Sequence, residues 1–398
     1  MVRLIHTADL HLDAAFSSRF SKEEAEERRQ NLLMAWNSLL SYGIEKKVQA
    51  VLIAGDLFDS SVVSRSTMEI FLSSIRRNPD ISFFYLRGNH DTENTFRFQE
   101  NLPKNLFLFS KAGKKYRLNE KLILAGKEYY GSEDRTKERT EERTEERTED
   151  GFPECELTES TKSFWDFKEE DCNIFILHGE LTESEVKQEG TKEEALVQGS
   201  SGISLKALSH YPIHYLALGH IHKRGEGKFE KLRYVYPGCI QGRGFDEEGE
   251  RGFLYLKIEE EKKEIQKAFI PIKQGEFRIL EIELLEDEGT LACLKKIEEE
   301  MEKASISKED SLRIVLKGKK DLEQERNLRY LHLQLQDRVF FLEIQDESEL
   351  NWNREEAMKE KRLKGEFLRV VAGADNLSKE EQEEIIALGM GLLQGGEL

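Results

Sequence analysis

The stretch Leu216-Ala217-Leu218-Gly219-His220-Ile221-His222 ends an apolar run in a glycine and two histidines placed two positions apart. If Tyr215 to Leu218 form a buried strand, the glycine ends it and sets His220 and His222 at its C-terminal mouth. Residues i and i+2 of an extended segment point the same way, so both imidazoles can face one pocket. Four other apolar runs end in the same manner. Residues 4–8 lead to Asp9 and His11, residues 50–54 to Gly55-Asp56-Leu57-Phe58-Asp59, residues 83–86 to Arg87-Gly88-Asn89-His90-Asp91, and residues 173–177 to His178-Gly179. Near-continuous apolar runs are how strands buried on both faces read. Strand, helix, strand, helix, strand over residues 1–86 then predicts an α/β fold, in which polar groups beyond the carboxyl ends of the strands gather into a site.

Seven of these residues, Asp9, His11, Asp56, Asn89, His178, His220 and His222, offer oxygen or nitrogen donors and no thiolate. A set of this size and hardness suits two divalent ions, Mn²⁺ above all. Asp56 is the candidate to bridge them, since a carboxylate has two oxygens and the charge to hold two cations. In order, Asp-x-His, Gly-Asp-x-x-Asp, Gly-Asn-His-Asp, His-Gly and Gly-His-x-His resemble the calcineurin-like metallophosphoesterase superfamily. With Tyr-Pro-Gly at 236–238 and Gly-Arg-Gly-Phe-Asp-Glu at 242–247, the chain is similar to the SbcD/YhaO branch of DNA exonucleases, well over residues 1 to about 260 and loosely beyond.

The resemblance implies a four-layer αββα sandwich. It implies that Asp9, His11 and His222 complete one ion and Asn89, His178 and His220 the other, with His90 aiding the leaving oxygen. It further implies a Mn²⁺-dependent double-strand exonuclease and single-strand endonuclease in DNA repair, partnered by an SMC-like coiled-coil ATPase. Asp91 is the expected orienter of His90. Asp13 and Asp59 are expected to cap loops; some relatives carry histidine at the position of Asp59. Arg243 is a weak candidate for phosphate contact. His6, inside the first strand, reads as a core histidine, Trp36 and Trp165 as core aromatics, and His210, His214 and His332 have no motif around them. The alternatives are a metallophosphoesterase acting on non-DNA phosphate esters or phosphoproteins, and a non-catalytic scaffold, which a full ligand set disfavours.

The net charge of −18 is unevenly spread. Residues 1–130 carry 19 Lys and Arg against 16 Asp and Glu, whereas residues 276–398 carry 19 against 30. A near-neutral core lacks the basic stripe of an autonomous DNA binder and points to a partner that shares the grip. Whether the chain forms a homodimer stays open. Four scattered cysteines give neither a disulfide framework nor a zinc ribbon. A first strand starting at residue 2 and no long apolar run lead to the expectation of a cytoplasmic chain with no membrane contact.

The expected organisation is a nuclease domain over 1–274, a small α+β capping domain over 275–347 and a helical partner-binding tail over 348–398. Within the first, residues 132–162 contain the repeated Arg-Thr-Glu-Glu tetrapeptide and read as a charged, disordered insertion, because like charges recur at i, i+4. Residues 180–210 are expected to hold a loop and a helix over the site. Ser21-Lys-Glu-Glu24 and Ser378-Lys-Glu-Glu381 are capping-box patterns. Helices are expected over 65–77, 289–303, 320–334, 352–372 and 378–393, and strands over 277–284, 311–317 and 338–344. In the tail, Phe367, Leu368 and Val371 read as partner anchors.

Overall fold

The computed structural model describes residues 1–16, 19–60, 63–91, 95–96, 101–128, 164–182, 203–321 and 326–351, and more sparsely 359–389. The expected insertion at 132–162 and residues 183–202 lie outside the described residues. The chain divides into two compact units. The first comprises Met1–Arg243 and Glu250–Gln274, the second Gly244–Gly249 and Gly275–Leu398.

The first unit begins β1 (Val2–Thr7), α1 (Lys22–Lys46), β2 (Ala50–Ala54), α2 (Arg65–Arg76), β3 (Ser82–Leu86) and β4 (Leu106–Leu108). It continues with β5 (Lys114–Arg117), β6 (Leu122–Gly126), β7 (Cys172–His178), the short pair β8 (Leu181–Thr182) and β9 (Ile203–Ser204), and α3 (Leu205–Leu208). The strands β10 (Tyr215–Gly219), β11 (Gly225–Phe229), β12 (Leu232–Tyr236), β13 (Gly252–Glu259) and β14 (Glu264–Pro271) complete it. Two six-stranded sheets result, in the orders β14-β13-β1-β2-β3-β4 and β11-β12-β10-β7-β6-β5. The middle of each is parallel, and antiparallel pairs lie toward the edges. Parallel neighbours need crossovers, so successive strand ends fall on one edge of the sheet.

Alternation along each strand sorts the apolar residues into layers. Ile5, Val51, Ile53 and Phe83 meet Leu32, Trp36, Leu39 and Phe71 of α1 and α2. From the opposite faces, Leu4, Leu52 and Phe84 meet Leu124, Ile174, Ile176 and Ala217 of the second sheet. The outer face of that sheet is covered by Trp165, Ile203, Leu205 and Leu208. Among the described residues this last layer has one helix of four residues; most of the loop and helix expected over 180–210 lies outside the described residues. Burial of each such side chain contributes about 1.5–3 kcal/mol, which fixes the sheets against one another.

Local signals account for the helix starts. Ser21 and Glu24 form the capping box of α1 reciprocally. Asp13 accepts from the backbone and hydroxyl of Ser64 and from the Thr67 hydroxyl at the start of α2, as its capping role requires. Trp36 is fully buried and donates to Ser74 Oγ at 2.8 Å, and Trp165 is core as well. Cys172, Cys239 and Cys293 are buried, and no helix among the described residues is long and apolar enough to cross a membrane.

In the second unit β15 (Phe277–Leu284), α4 (Thr290–Lys303), β16 (Ser311–Asp321), α5 (Leu328–Leu335), β17 (Phe341–Asp346) and β18 (Glu349–Asn351) alternate. Among the described residues its strand pairings, β15 with β16, β16 with β17 and β16 with β18, are parallel. The helix expected over 320–334 is displaced: β16 runs on to Asp321, and Asn327 caps α5 by accepting from Tyr330 N. The core is built from Ile282, Ile297, Leu312, Leu316, Leu331 and Leu335. Phe245, carried in by Gly244–Gly249, stacks edge-on against Phe277 at 5.2 Å, with the Arg313 guanidinium over its ring. Helix α6 (Leu363–Ala372) is the described part of the helix expected from 352. Here the structure corrects the reading of the tail anchors: Leu368 and Val371 are 1% and 6% exposed, so they serve the fold of this chain. Among the described residues of α6, Leu363 and Val370 are the large apolar side chains exposed to solvent.

His6 shows how strictly the inter-sheet layer excludes charge. It is fully buried, accepts from the Tyr215 hydroxyl through Nδ1 at 3.0 Å and donates from Nε2 to the Leu218 carbonyl at 3.2 Å. Burial, only partly offset by the Leu218 carbonyl, lowers its pKa to about 3. Unfolding restores a value near 6.5, so between pH 6.5 and 3 the unfolded chain binds the extra proton and stability falls as pH falls. This residue alone should cost roughly 2 kcal/mol between about pH 7.5 and pH 5. His6→Gln, which can keep both hydrogen bonds, should show an acid limb shallower by that amount in urea midpoints; an unchanged limb would refute the assignment.

Candidate metal centre

The loops that follow β1, β2, β3, β7 and β10 converge at one edge of the two sheets. Asp9 N donates to Gly55 O, His11 N to Asp56 O and Leu12 N to Leu57 O, which zips the first two loops together. Asp91 fastens the third. Its buried carboxylate accepts from Leu57 N, Phe58 N and Gly88 N at 2.9–3.2 Å. It therefore holds the loops and does not orient His90, contrary to the expectation from sequence adjacency. His90 instead donates through Nδ1 to the Asp59 carbonyl at 3.0 Å.

Four of the seven expected ligands have left-handed backbone: Asp9 at φ 51°, His11 at 42°, Asp56 at 49° and His220 at 101°. Such conformations cost non-glycine residues on the order of 1 kcal/mol or more and concentrate at functional sites. They turn the chain sharply at each strand end and aim the side chains inward.

All seven residues come together. His11 Nε2 lies 3.1 Å from His222 Nε2, and Asp9 stands close enough for the three to share one ion. Asp9 also accepts from His220 N through both oxygens, at 2.9 and 3.1 Å. On the other side Asn89 Oδ1 lies 2.9 Å from His178 Nε2 and 3.2 Å from His220 Nδ1. Asp56 is central. Its Oδ2 is 3.3 Å from His178 Nε2 and 3.8 Å from His11 Nε2, and its Oδ1 accepts from His90 N. His178 Nδ1 donates to Ala54 O at 2.9 Å, which turns Nε2 toward Asp56 and Asn89.

The charges fit a cation. Burial pushes Asp9 up to about 6. Burial also opposes charge at Asp56, but His178, His11 and the His90 N–H hold it well below the usual carboxylate range. Burial would discharge His178, yet hydrogen bonding and the charge of Asp56, with Asp9 behind it, raise it to about 9. Two buried carboxylates are thus balanced by an imidazolium, in the place that a divalent ion would take with better geometry. The donor set of carboxylate, imidazole and amide oxygens matches a hard-to-borderline metal.

Two participants were undervalued in the sequence. Asp59 is no loop cap: its Oδ1 lies 3.2 Å from His11 Nδ1 and accepts from Arg243 Nη1 at 2.6 Å. Arg243 also reaches His222 Nδ1 at 3.2 Å. His214 is structural, accepting from Asn173 N.

The profile of the calcineurin-like phosphoesterases matches residues 2–224. The chain belongs to the calcineurin-like phosphoesterase family. The uncharacterized metallophosphoesterase YhaO of Bacillus subtilis is 24% identical over 261 residues, 64% of this chain and 57% of that protein. The DNA double-strand break repair protein Mre11 of Haloferax volcanii is 22% identical over 302 residues, 75% of this chain and 58% of its own length. The Mre11 of Methanosarcina acetivorans is 31% identical over 130 residues, 31% of this chain and 19% of its own length. The chain thus spans less than two thirds of each of these relatives.

Close approach in this calcineurin-like site depends on Gly88 and Gly219. A Cβ on Gly88 would lie 2.2 Å from Asp56 Oδ1, and one on Gly219 1.8 Å from Ala54 O. Gly88→Ala should therefore displace Asp56 and weaken Mn²⁺ binding roughly tenfold or more, as loss of ligand support does. Gly225→Ala, where nothing lies within 4 Å, is the control. Equal Mn²⁺ isotherms for both variants would contradict the geometry.

Proposed function

We propose that the chain hydrolyses phosphodiester bonds of DNA with two divalent ions, Mn²⁺ by preference, as a repair nuclease in the cytoplasm. The observation that carries this reading is the placement of Asp56 against both histidine sets at once. Asp9, His11 and His222 would hold one ion, Asn89, His178 and His220 the other, and Asp56 both. Such a pair, when bound, supplies Lewis acidity that makes water a nucleophile at neutral pH and offsets phosphate charge.

The chain's own residues do the rest. Ala54 O fixes the His178 tautomer, and the neutral amide of Asn89 keeps the total charge low enough for an anionic diester to approach. His90 is exposed beside the site, with Nδ1 committed to the Asp59 carbonyl. In its protonated form it can hand a proton from Nε2 to the leaving oxygen.

The DNA substrate is supported by the relatives named for double-strand break repair. A coiled-coil SMC-like ATPase partner is proposed on the likeness of the sequence motifs to the SbcD/YhaO branch. Its docking residues on α6 would be Leu363 and Val370, 70% and 67% exposed, in place of the buried Leu368 and Val371. Leu363→Glu with Val370→Glu should abolish co-purification with such an ATPase while leaving nuclease activity intact; unchanged co-purification removes α6 from the interface.

The direct test is cleavage of end-labelled duplex DNA and of bis-p-nitrophenyl phosphate with Mn²⁺. Asp56→Asn should lose metal and activity on both. His90→Gln should keep two ions and cleave on the order of a hundredfold more slowly. Hydrolysis of the small diester without any action on DNA would move the substrate to other phosphate esters.

A further inference from the structure

His222 is held from the first sheet through its own backbone. Its carbonyl oxygen accepts from Arg251 Nη1 at 2.6 Å and from Cys239 N at 3.0 Å. Two donors use both lone pairs of that oxygen, and a bond from a guanidinium is of the stronger, charge-assisted kind. Both donors are rooted beside the strand that leads to Asp9 and His11. Cys239 bridges Ala8 in parallel register, and Arg251 directly precedes β13, which pairs with β1 from Val2 to His6. The Tyr-Pro-Gly stretch at 236–238 serves the same contact. Gly238 has φ 81°, and a Cβ on it would lie 2.7 Å from the His222 oxygen. Tyr236 meanwhile donates to the Gly179 carbonyl at 2.9 Å, next to His178.

Arg251 is 9% exposed, and burying a guanidinium is costly. The His222 oxygen already has a partner in Cys239 N, so the second donor adds fixation. A carbonyl pinned by two donors fixes the peptide plane after His222, and with it the point from which the imidazole projects. Resting on the metal centre proposed above, we infer that Arg251 is a positioning residue for one ion of the pair, the one bounded by Asp9, His11 and His222. The other side is held by different bonds, from His178 Nδ1 to Ala54 O and from His220 N to Asp9. The effect of Arg251 is therefore selective.

Two other roles predict different results. A guanidinium acting through charge alone repels both cations, so its removal would tighten both. One needed for folding alone would lower the melting temperature and leave both affinities as they are. The whole chain and its Arg251→Gln and Arg251→Met variants would be titrated with Mn²⁺, and anomalous scattering at sub-saturating Mn²⁺ would assign each step to a position. Met keeps the apolar stem, so a defect that it shares with Gln reports the lost donor and not lost packing. Both variants should weaken the ion beside His222 roughly tenfold and hold the other within about twofold, as loss of support to one ligand does. Arg251→Lys still offers a charged donor and should bind that ion within about threefold of wild type. Arg233→Gln, an exposed change of the same charge on β12, should move neither ion. Equal weakening of both ions, tighter binding, unchanged affinities, or a Lys variant no better than Gln would overturn the positioning role alone. Failure of the wild-type chain to bind two ions would overturn the metal centre and leave Arg251 nothing to position.

Discussion

The hydrogen bond from His178 Nδ1 to the Ala54 carbonyl joins the end of β7 in one sheet to the end of β2 in the other. Much else depends on it. It fixes the imidazole that faces Asp56 and Asn89, and it requires the two strand ends to approach so closely that Gly219 has no room for a Cβ beside Ala54 O. The layer of Leu4, Leu52, Phe84, Ile174 and Ile176 between the sheets supplies the force that holds this approach. Packing energy gathered along whole strands is thereby concentrated on a few polar groups at one edge.

Those groups are held in conformations they would not choose alone. Left-handed backbone at Asp9, His11, Asp56 and His220 and two carboxylates at 1% exposure each cost stability. The zipped loops and the three N–H donors on Asp91 are what over-determine them. Preorganisation of this kind means that ligands are positioned before any ion binds, so the free energy of ordering them is met during folding.

Buried parallel strands were legible because their runs are apolar on both faces, and the polar cluster was legible because each run stops at a glycine or a charged or imidazole side chain. The Ser21 box likewise announced α1 within four residues. What stayed hidden depends on distance in sequence. Asp59 and Arg243 are 184 residues apart, and neither flanks a motif in a way that reveals the pair. Asp91 was assigned to His90 because they are neighbours, whereas three backbone donors from folded loops claim its carboxylate. Residues 320–334 carry helical spacing, yet β16 extends to Asp321 because its end pairs with β18. Leu368 and Val371 have the amphipathic spacing of an interface and of a core alike, and only packing distinguishes the two.

The central claim is that one carboxylate, Asp56, lies between two ions held by two separate histidine sets. Anomalous scattering at the manganese edge from crystals grown with Mn²⁺ tests it most directly. The account predicts two peaks per chain, one bounded by Asp9, His11 and His222 and the other by Asn89, His178 and His220, with Asp56 touching both. A single peak, or two peaks of which Asp56 contacts only one, would contradict it.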